Sequence, residues 1–349
     1  MFRFCIGLAC VMTVAGAAYA SGEVTLVDAS GLEFWINTNI TTSTWSSSAS
    51  GALSDATGTT SVSGITTTGG DTVTATLSDA FDGYNGIFVK VGDGEFVSYN
   101  ENGTATRTNG GRTLVFRTQT IDGVDVFRKV FVPVDDEFCR WLNFFTNTGT
   151  TTKTIVLQTS NNLDWHSNGY TKIHSTSSGD ALATTADNWV VTFEDPASFT
   201  PPSNLSTDPR LGHVLQGPGG SVSLSSITFA NGNDQPWWEY TFDLDPGQTA
   251  IIMNFVTGQP SLADAEAKAA ALTNLEGSAI DFISATEAGQ ILNFVVVPRP
   301  PGCFGGALSD ASIIPTLSRV GDMLLFALVS AILFAGYRKQ ASKRLASQA

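Results

Sequence analysis

The sequence predicts a mainly β protein: a large antiparallel β-sandwich with one or two short helices near its C-terminal end, followed by a C-terminal transmembrane helix. Three observations support this prediction. Short stretches of alternating apolar and polar residues recur between turns rich in glycine, asparagine and aspartate. Two helix-start signals stand late in the chain. An uncharged stretch, residues 323–337, is followed at once by a basic tail.

The strands are predicted from their turns and their alternation. Between 238 and 244 apolar residues alternate with polar ones, so Trp238 and Tyr240 should face the core while Trp237 faces away. Further strands are expected at 24–27, 189–194 and 222–229. Together these segments predict an antiparallel meander. Three turn signals each predict a β-hairpin: Asp122-Gly123 between 113–121 and 124–132, Gly92-Asp93-Gly94 between 86–91 and 95–99, and Asn147-Thr148-Gly149 between 138–146 and 153–160.

Two helices are predicted after the last strands. Ser261, with an aspartate three residues later, begins a helix over 262–275 that Gly277 ends. Apolar residues at helical spacing give this helix one face that should pack on a sheet. Ser284, with a glutamate three residues later, begins a second, shorter helix that ends near Phe294.

A signal peptide is predicted over residues 1–20. A basic residue precedes an apolar stretch, and Ala18 and Ala20 form an A-x-A cleavage site for signal peptidase. The mature chain would then begin at Ser21. A competing interpretation is a lipoprotein signal that would use Cys10.

Residues 313–349 combine a short motif, an apolar stretch and a basic end. With its flanking residues the apolar stretch reaches the length of one membrane-spanning helix, about 20 residues. The basic end predicts that the C-terminus lies in the cytoplasm. The residues of the motif are Ile314, Pro315, Thr316, Leu317 and Gly321.

This arrangement of motif, helix and basic tail resembles the IPTL-CTERM sorting signal of Gram-negative bacteria. The resemblance covers about the last tenth of the chain. It implies that an exosortase-like membrane protease recognises the tail and processes the protein for the cell surface. The alternative is a plain membrane anchor, and in both cases the helix holds the protein at the cell envelope at least transiently.

Between the two signals, residues 21–297 are predicted to form one β-sandwich ectodomain, joined to the tail by a Pro/Gly linker at 298–312. A segment rich in threonine, serine and glycine occupies 41–78. The alternative is a pair of smaller sandwiches divided at Pro201-Pro202.

Charge and cysteine content limit the partners. The formal net charge is −14, which argues against nucleic acid as a partner because both would be anionic. Removal of the signal peptide leaves two cysteines, Cys139 and Cys303. In an exported protein they form either a disulfide or two free thiols.

No common catalytic or nucleotide-binding motif occurs in the sequence. One group could move protons near neutral pH: Asp164, His166 and His174. The alternative for that group is a solvated polar loop. Trp237, with its aromatic neighbours on the same strand, could stack on a glycan, and the alternative is packing within the protein.

The sequence predicts no cofactor, and calcium is the alternative. Asp79, Asp82 and Asn85 supply oxygen ligands around tight glycine turns, which suits Ca²⁺. The alternative is a set of turns in which these side chains bond their own backbone. The acidic run at 135–137 is predicted to be a solvated loop, and His213 is predicted to be a half-buried structural residue.

The second half of the ectodomain has a recognisable order of elements. A strand at 187–191 is followed by a glycine-rich turn at 217–220, then by a turn at 246–249 and a helix. This order resembles the supersandwich of mutarotase-like and glycoside-associated domains. The resemblance implies a fold and assigns no role to any residue.

The sequence therefore supports three hypotheses of function. The first is an exported, surface-sorted, non-enzymatic β-sandwich with an envelope, matrix or adhesive role. The second is a carbohydrate-binding or carbohydrate-active sandwich. The third is a structural module stabilised by calcium.

Overall fold

The computed structural model describes residues 22–38, 50–58, 61–66, 72–77, 80–100, 105–163, 170–194 and 208–297. The predicted signal peptide, linker and sorting signal lie outside these ranges. Within them, no helix is long and apolar enough to cross a membrane.

Nineteen strands and two α-helices form in the described ranges. In chain order the strands are β1 (Glu23–Val27), β2 (Leu32–Asn37), β3 (Leu53–Gly58), β4 (Ser61–Thr66), β5 (Thr72–Thr76), β6 (Gly83–Val91), β7 (Val97–Ser98), β8 (Thr106–Thr108), β9 (Thr113–Val115), β10 (Gln119–Ile121), β11 (Val124–Phe131), β12 (Cys139–Asn147), β13 (Lys153–Asn162), β14 (Thr171–Thr176), β15 (Trp189–Glu194), β16 (Arg210–Val214), β17 (Leu224–Thr228), β18 (Trp237–Leu244) and β19 (Thr249–Gln259). The helices are α1 (Leu262–Thr273) and α2 (Ala285–Ala288).

Two antiparallel sheets form a sandwich, as predicted. The first sheet has eight strands in the order β1-β2-β3-β6-β13-β18-β17, with β7 beside β6. The second has nine in the order β14-β15-β16-β19-β12-β11-β9-β8, with β10 beside β11. Strands β4 and β5 form a separate ribbon. One apolar core lies between the inner faces of the two large sheets.

Two of the three predicted hairpins are confirmed. Asp122 and Gly123 both have positive φ, 47° and 74°, which a two-residue hairpin turn requires, and β10 pairs with β11 around them. Strands β6 and β7 pair around the glycine turn at 92–94.

The third predicted hairpin is wrong. Strand β12 pairs with β11 and β19 in the second sheet, whereas β13 pairs with β6 and β18 in the first. The chain crosses from the second sheet to the first here, and it crosses in the opposite direction between β18 and β19, among other places. Asn147 links the two crossings, because its Nδ2 donates to Leu244 O at 2.8 Å and its backbone N donates to Gln248 O at 3.0 Å. The meander prediction is therefore wrong as well.

Large aromatic side chains fill the core between the sheets. Trp238 and Tyr240 on β18 are fully buried, as their alternation predicted, and Trp237 lies half-buried on the outer face. The Tyr84 ring lies 5.8 Å from Trp141 and 6.3 Å from Trp238, measured between centroids. Burying one such side chain contributes about 1.5–3 kcal/mol to stability.

Helix α1 and the segment after it cover the outer face of the second sheet. The cap prediction is confirmed, since Ser261 Oγ accepts a hydrogen bond from Asp264 N at 3.1 Å. A Cβ added at Gly212 on β16 would lie 3.2 Å from Ala265 O, so glycine lets the helix approach the sheet closely. The helix side chains that are buried here include Ala265, Ala269 and Leu272.

The second helix is shorter than predicted. It has a full capping box but ends at Ala288. Beyond it the backbone turns onto β19, where Ile251 N donates to Gln290 O at 2.8 Å and Leu292 N donates to Ile251 O at 2.9 Å. These bonds replace the helical ones, so the helix does not continue to Phe294.

Asn293 fastens the end of the described chain to the sandwich. Its Oδ1 accepts from Met253 N at 2.9 Å, and its Nδ2 donates to Met253 O at 2.6 Å and Leu215 O at 2.9 Å. Its backbone oxygen accepts from Gly217 N at 2.9 Å. One fully buried side chain thus holds the segment to β19 and to the loop after β16.

Candidate functional site

A cavity of about 500 Å³ opens at one end of the sandwich, between α1 and the turn that joins β1 to β2. We call it the groove. Its volume falls within the range of about 300–1,000 Å³ that is typical of small-molecule sites. The residues that line it are Ser30, Leu32, Gly58, Leu77, Glu137, Gln259, Pro260, Asp264, Ala267, Lys268 and Ala271.

One face of α1 forms a wall of the groove. Asp264, Ala267, Lys268 and Ala271 follow each other at spacings of three, one and three residues, which place them on one side of a helix. Asp264 lies in the first turn, where its Oδ2 accepts from Ser261 Oγ at 2.6 Å. The helix therefore presents a carboxylate, an ammonium group and small apolar side chains to the groove.

A network of charged and amide groups fixes the polar side of the groove. Lys268 Nζ lies 2.5 Å from Asp136 Oδ1 and 3.9 Å from Glu137 Oε2. Gln259 Nε2 donates to Glu137 Oε2 at 3.0 Å and to Thr257 Oγ1 at 2.8 Å. Because these groups hold each other, they are oriented before any ligand arrives.

Asp28 shapes the turn that forms the opposite wall. Its Oδ1 accepts from Ser30 N at 2.9 Å, from Ser30 Oγ at 2.7 Å and from Leu32 N at 3.0 Å. Ala29 N donates to Asp136 O at 3.1 Å, which holds the turn against the loop before β12. Burial raises the pKa of Asp28 to about 6, against three hydrogen bonds that lower it, and the Glu137 carboxylate adds to the rise.

The acidic run at 135–137 is only in part the solvated loop that the sequence predicts. Asp136 is 9% exposed, and its Oδ2 accepts from Ser278 N at 3.0 Å. Ser278 Oγ also donates to Asp135 Oδ1 at 3.0 Å. Asp136 is buried because the segment after α1 folds over it and supplies these donors, whereas Asp135 stays exposed.

Of the predicted proton-transfer residues the structure describes His174, which does not line the groove. His174 lies on β14, at an edge of the second sheet, with its Nε2 3.5 Å from Glu266 Oε1. Asp164 and His166 lie outside the described residues. Trp237 lies on the outer face of the first sheet, so the structure does not bring it together with His174.

Asp82 and Asn85 of the calcium prediction are not among the residues that line the groove. Asn85 is fully buried, with φ 59°, and its Oδ1 accepts from Arg128 Nη2 at 2.5 Å. Asp82 is exposed, and Asp79 lies outside the described residues. Among the residues that the structure describes, no three histidine, cysteine, aspartate or glutamate side chains group to hold a metal ion. The calcium site stays a prediction.

Two further predictions concern buried polar residues. Cys139 forms no disulfide with any described residue and is 0% exposed, and burial raises its pKa well above the usual value. Cys303 lies outside the described residues, so a disulfide between the two stays a prediction. His213 is fully buried where half-burial was predicted. Its Nδ1 lies 2.7 Å from the Tyr84 hydroxyl and its Nε2 2.8 Å from Thr192 Oγ1.

Burial lowers the pKa of His213 to about 3. The imidazole is therefore neutral at the pH of most habitats, and both ring nitrogens are occupied by hydroxyl groups. This arrangement makes His213 a structural residue of the core.

The sequence contains one pattern that indicates a wall of the groove. Asp264 and Lys268 are four residues apart on a predicted helix, on the side next to its apolar face. The partners from 28–32 and 137 are too far away in sequence for spacing to reveal them.

The groove combines hydrogen-bond acceptors, one ammonium group and an aliphatic lining. Glu137 and Asp264 can accept hydrogen bonds, and Lys268 and Ser30 can donate them. Leu32 and Leu77 offer apolar surface beside these groups. Such a lining suits a neutral ligand that carries several hydroxyl groups and some C–H surface.

Comparison with known proteins gives structural likeness only. No family model and no curated protein matches the sequence. The chain is similar to a protein assigned as a kojibiose phosphorylase from human microbiome, with 13% identity and a TM-score of 0.42, over 76% of this chain and 34% of that one. The chain thus spans about a third of that protein's length.

Two shorter proteins are similar at lower scores. A galactose mutarotase-like protein from Lactobacillus casei ATCC 334 has 8% identity and a TM-score of 0.36, over 68% of this chain and 99% of that one. A protein assigned as an aldose 1-epimerase from Klebsiella pneumoniae has 8% identity and a TM-score of 0.35, over 71% and 82%. At these identities and TM-scores the likeness indicates nothing about the site.

Proposed function

We propose that this chain is an exported, surface-displayed β-sandwich protein whose groove binds a neutral carbohydrate. The observation that carries the proposal is the groove itself, a preformed cavity in which an amide, an ammonium group and two carboxylates converge beside aliphatic side chains. The two ends of the sequence support the location.

A sugar ring matches this lining in both its polar and its apolar parts. Each ring hydroxyl both donates and accepts a hydrogen bond, so vicinal hydroxyls can donate to Glu137 or Asp264 and accept from Lys268. The C–H surface of the ring can pack against Leu32 and Leu77. Hydrogen bonds to charged groups contribute about 1.5–3 kcal/mol each, which lets a few of them define the ligand.

Charge favours a neutral sugar over an acidic one. The whole chain carries a net charge of −14, and the ammonium group of Lys268 is already neutralised by Asp136. A sulfated or uronic sugar would meet two further carboxylates at the groove, and the described residues that line it include no second cation to compensate them. Selection against such ligands is therefore part of the proposal.

Binding measurements on the mature protein test the ligand. We expect an array of neutral and acidic oligosaccharides to show binding of neutral members only. Glu137→Gln should lower the affinity about tenfold or more, because one charged acceptor is lost. Glu239→Gln is the matched control, since Glu239 lies on the outer face of the first sheet and accepts from Gln158 Nε2 at 2.8 Å.

Equal affinity of Glu137→Gln and the unchanged protein would contradict a site in the groove. An equal loss in the Glu239→Gln control would place binding on the outer face of the first sheet instead.

The surface location is tested by the intact mass of the protein from the cell envelope and from the medium. We expect a mass that begins at Ser21 and ends near Ile314-Pro315, as processing by an exosortase-like protease would produce. A mass that retains 338–349 would instead show an ordinary membrane anchor.

A further inference from the structure

The inner face of the second sheet carries a fully buried guanidinium group. Arg128 lies on β11 between Val126 and Val130, which both pack in the core between the sheets. Alternation along the strand points Arg128 to the same side, and its exposure is 0%. A charge in this position needs compensation, because the apolar interior solvates it poorly.

Uncharged oxygen atoms accept the hydrogen bonds of this guanidinium. Nε donates to Asn143 Oδ1 at 2.8 Å, Nη2 donates to Asn85 Oδ1 at 2.5 Å, and Nη1 donates to Ser50 O at 3.2 Å. The fork formed by Nε and Nη2 has the geometry that a carboxylate usually takes. Here two carboxamide oxygens share it, and no carboxylate of the described chain forms an ion pair with Arg128.

The side-chain amides of Asn85 and Asn143 also bring N–H donors that have no acceptor among the described residues. Asn85 Nδ2 and Asn143 Nδ2 are buried and have no hydrogen-bond partner among the described residues. Each Nη of Arg128 also carries two hydrogens and donates one bond. The three side chains therefore combine a positive charge with more N–H groups than acceptors.

The positive charge of this cluster determines which kind of ligand could accept its remaining hydrogen bonds. Burial lowers the pKa of Arg128 to about 9, so the guanidinium stays charged at neutral pH. A water molecule would accept hydrogen bonds from the amides but would leave the charge uncompensated. An anion supplies both acceptors and the opposite charge.

We propose that Arg128, Asn85 and Asn143 form a binding site for a small monovalent anion of the chloride type between the two sheets. Arg128 and Asn143 are direct partners on neighbouring strands of the second sheet, whereas Asn85 belongs to β6 of the first. The anion thus joins the two sheets, and the folded protein gains stability as its concentration rises. This inference is independent of the groove and its ligand.

The test is thermal unfolding of the mature protein in an uncharged detergent, with sodium chloride replaced stepwise by sodium gluconate at constant ionic strength. We expect Tm to rise with chloride. Above the Kd, each tenfold rise in chloride should raise the ratio of folded to unfolded protein about tenfold. Asn143→Asp should place a carboxylate at the Arg128 fork, so its Tm should be higher in gluconate and independent of chloride.

If Asn143→Asp fails to fold, Asn85→Asp replaces it, because this variant places a carboxylate beside Arg128 from the first sheet. Glu239→Gln, on the outer face, should keep the chloride dependence of the unchanged protein. Crystals of the unchanged protein grown in bromide should show an anomalous peak within hydrogen-bond distance of Asn85 Nδ2 or Asn143 Nδ2.

A Tm that is equal in chloride and gluconate would overturn the proposal. So would chloride dependence that persists in both aspartate variants, or a bromide crystal with only water at the two amides.

Discussion

Asp28 makes the stability of the fold depend on pH through one side chain. Its pKa is about 6 in the folded protein and 3.8 in an ordinary environment. The folded state therefore holds the proton more tightly, and stability from this group is complete below about pH 4. It is lost as pH rises through 6, where ionisation of the buried carboxyl costs about 3 kcal/mol.

Asp28→Asn tests this dependence, because the amide stays neutral at every pH. We expect the variant to gain stability over the unchanged protein as pH rises from 4 to 7, with little difference below pH 4. Two charged groups face Asp28: Glu137, which opposes ionisation, and Arg112, which favours it. Thermal unfolding from pH 3.5 to 8 measures the effect, and a difference that does not change with pH would contradict it.

Single residues also show what the sequence could reveal about polar positions. Arg128 and Asn143 each interrupt an apolar face, in the alternations Val126-Arg128-Val130 and Trp141-Asn143-Phe145. Such an interruption indicates a buried polar group, so the burial of these two side chains could be predicted from the sequence. What the group contacts was not, because Asn85 comes from a strand of the other sheet.

At the scale of elements, the turn after α1 is the most constrained part of the groove's support. Gly277 has φ +58°, and a Cβ placed there would lie 2.4 Å from Asp136 Oδ2. The glycine therefore allows the turn to close over the loop that holds Lys268. An alanine would have to displace Asp136 or the turn itself.

Gly277→Ala should lower the free energy of unfolding by more than about 1 kcal/mol and weaken ligand binding in the groove. Gly247→Ala is the matched control, since Gly247 has φ +76° with no atom within 4 Å of the added Cβ. Urea unfolding of both variants separates backbone strain from the clash. Equal losses would show that contact with Asp136 contributes nothing.

The elements also show which part of the topology is local. The hairpin at Asp122-Gly123 could be predicted because its two strands pair with each other across two residues. The turn after Asn147 has similar residues but leads to the other sheet. The residues of a turn determine that the chain reverses direction, but they do not determine which strand the next segment pairs with. The order of strands in the sheets therefore depends on long-range packing in the core.

At the scale of the whole molecule, the two outer faces differ. Helix α1 and the following segment cover the second sheet, whose outer face is apolar. The outer face of the first sheet carries mostly polar side chains on β13 and β18. We therefore expect residues 262–297 to be required for solubility as well as for the groove.

Truncation tests this requirement. A chain that ends at Val297 should fold and stay monomeric, whereas one that ends at Pro260 should aggregate and bind the dye ANS. The side chains uncovered in the shorter chain include Phe138, Leu142, Met253 and Phe255. Gel filtration and dye fluorescence measure the outcome, and a soluble shorter chain that does not bind the dye would contradict the assigned role of α1.

The fastening at Asn293 gives the sandwich a mechanical property. If the predicted tail tethers the protein, a pull on it would pass through the packed side chains of Val296 and Phe294 to Asn293. Its hydrogen bonds lead to β19, which is flanked on both sides by other strands, and to the loop after β16. Tension would therefore reach the interior strand β19 and this loop before it reaches an edge strand such as β14.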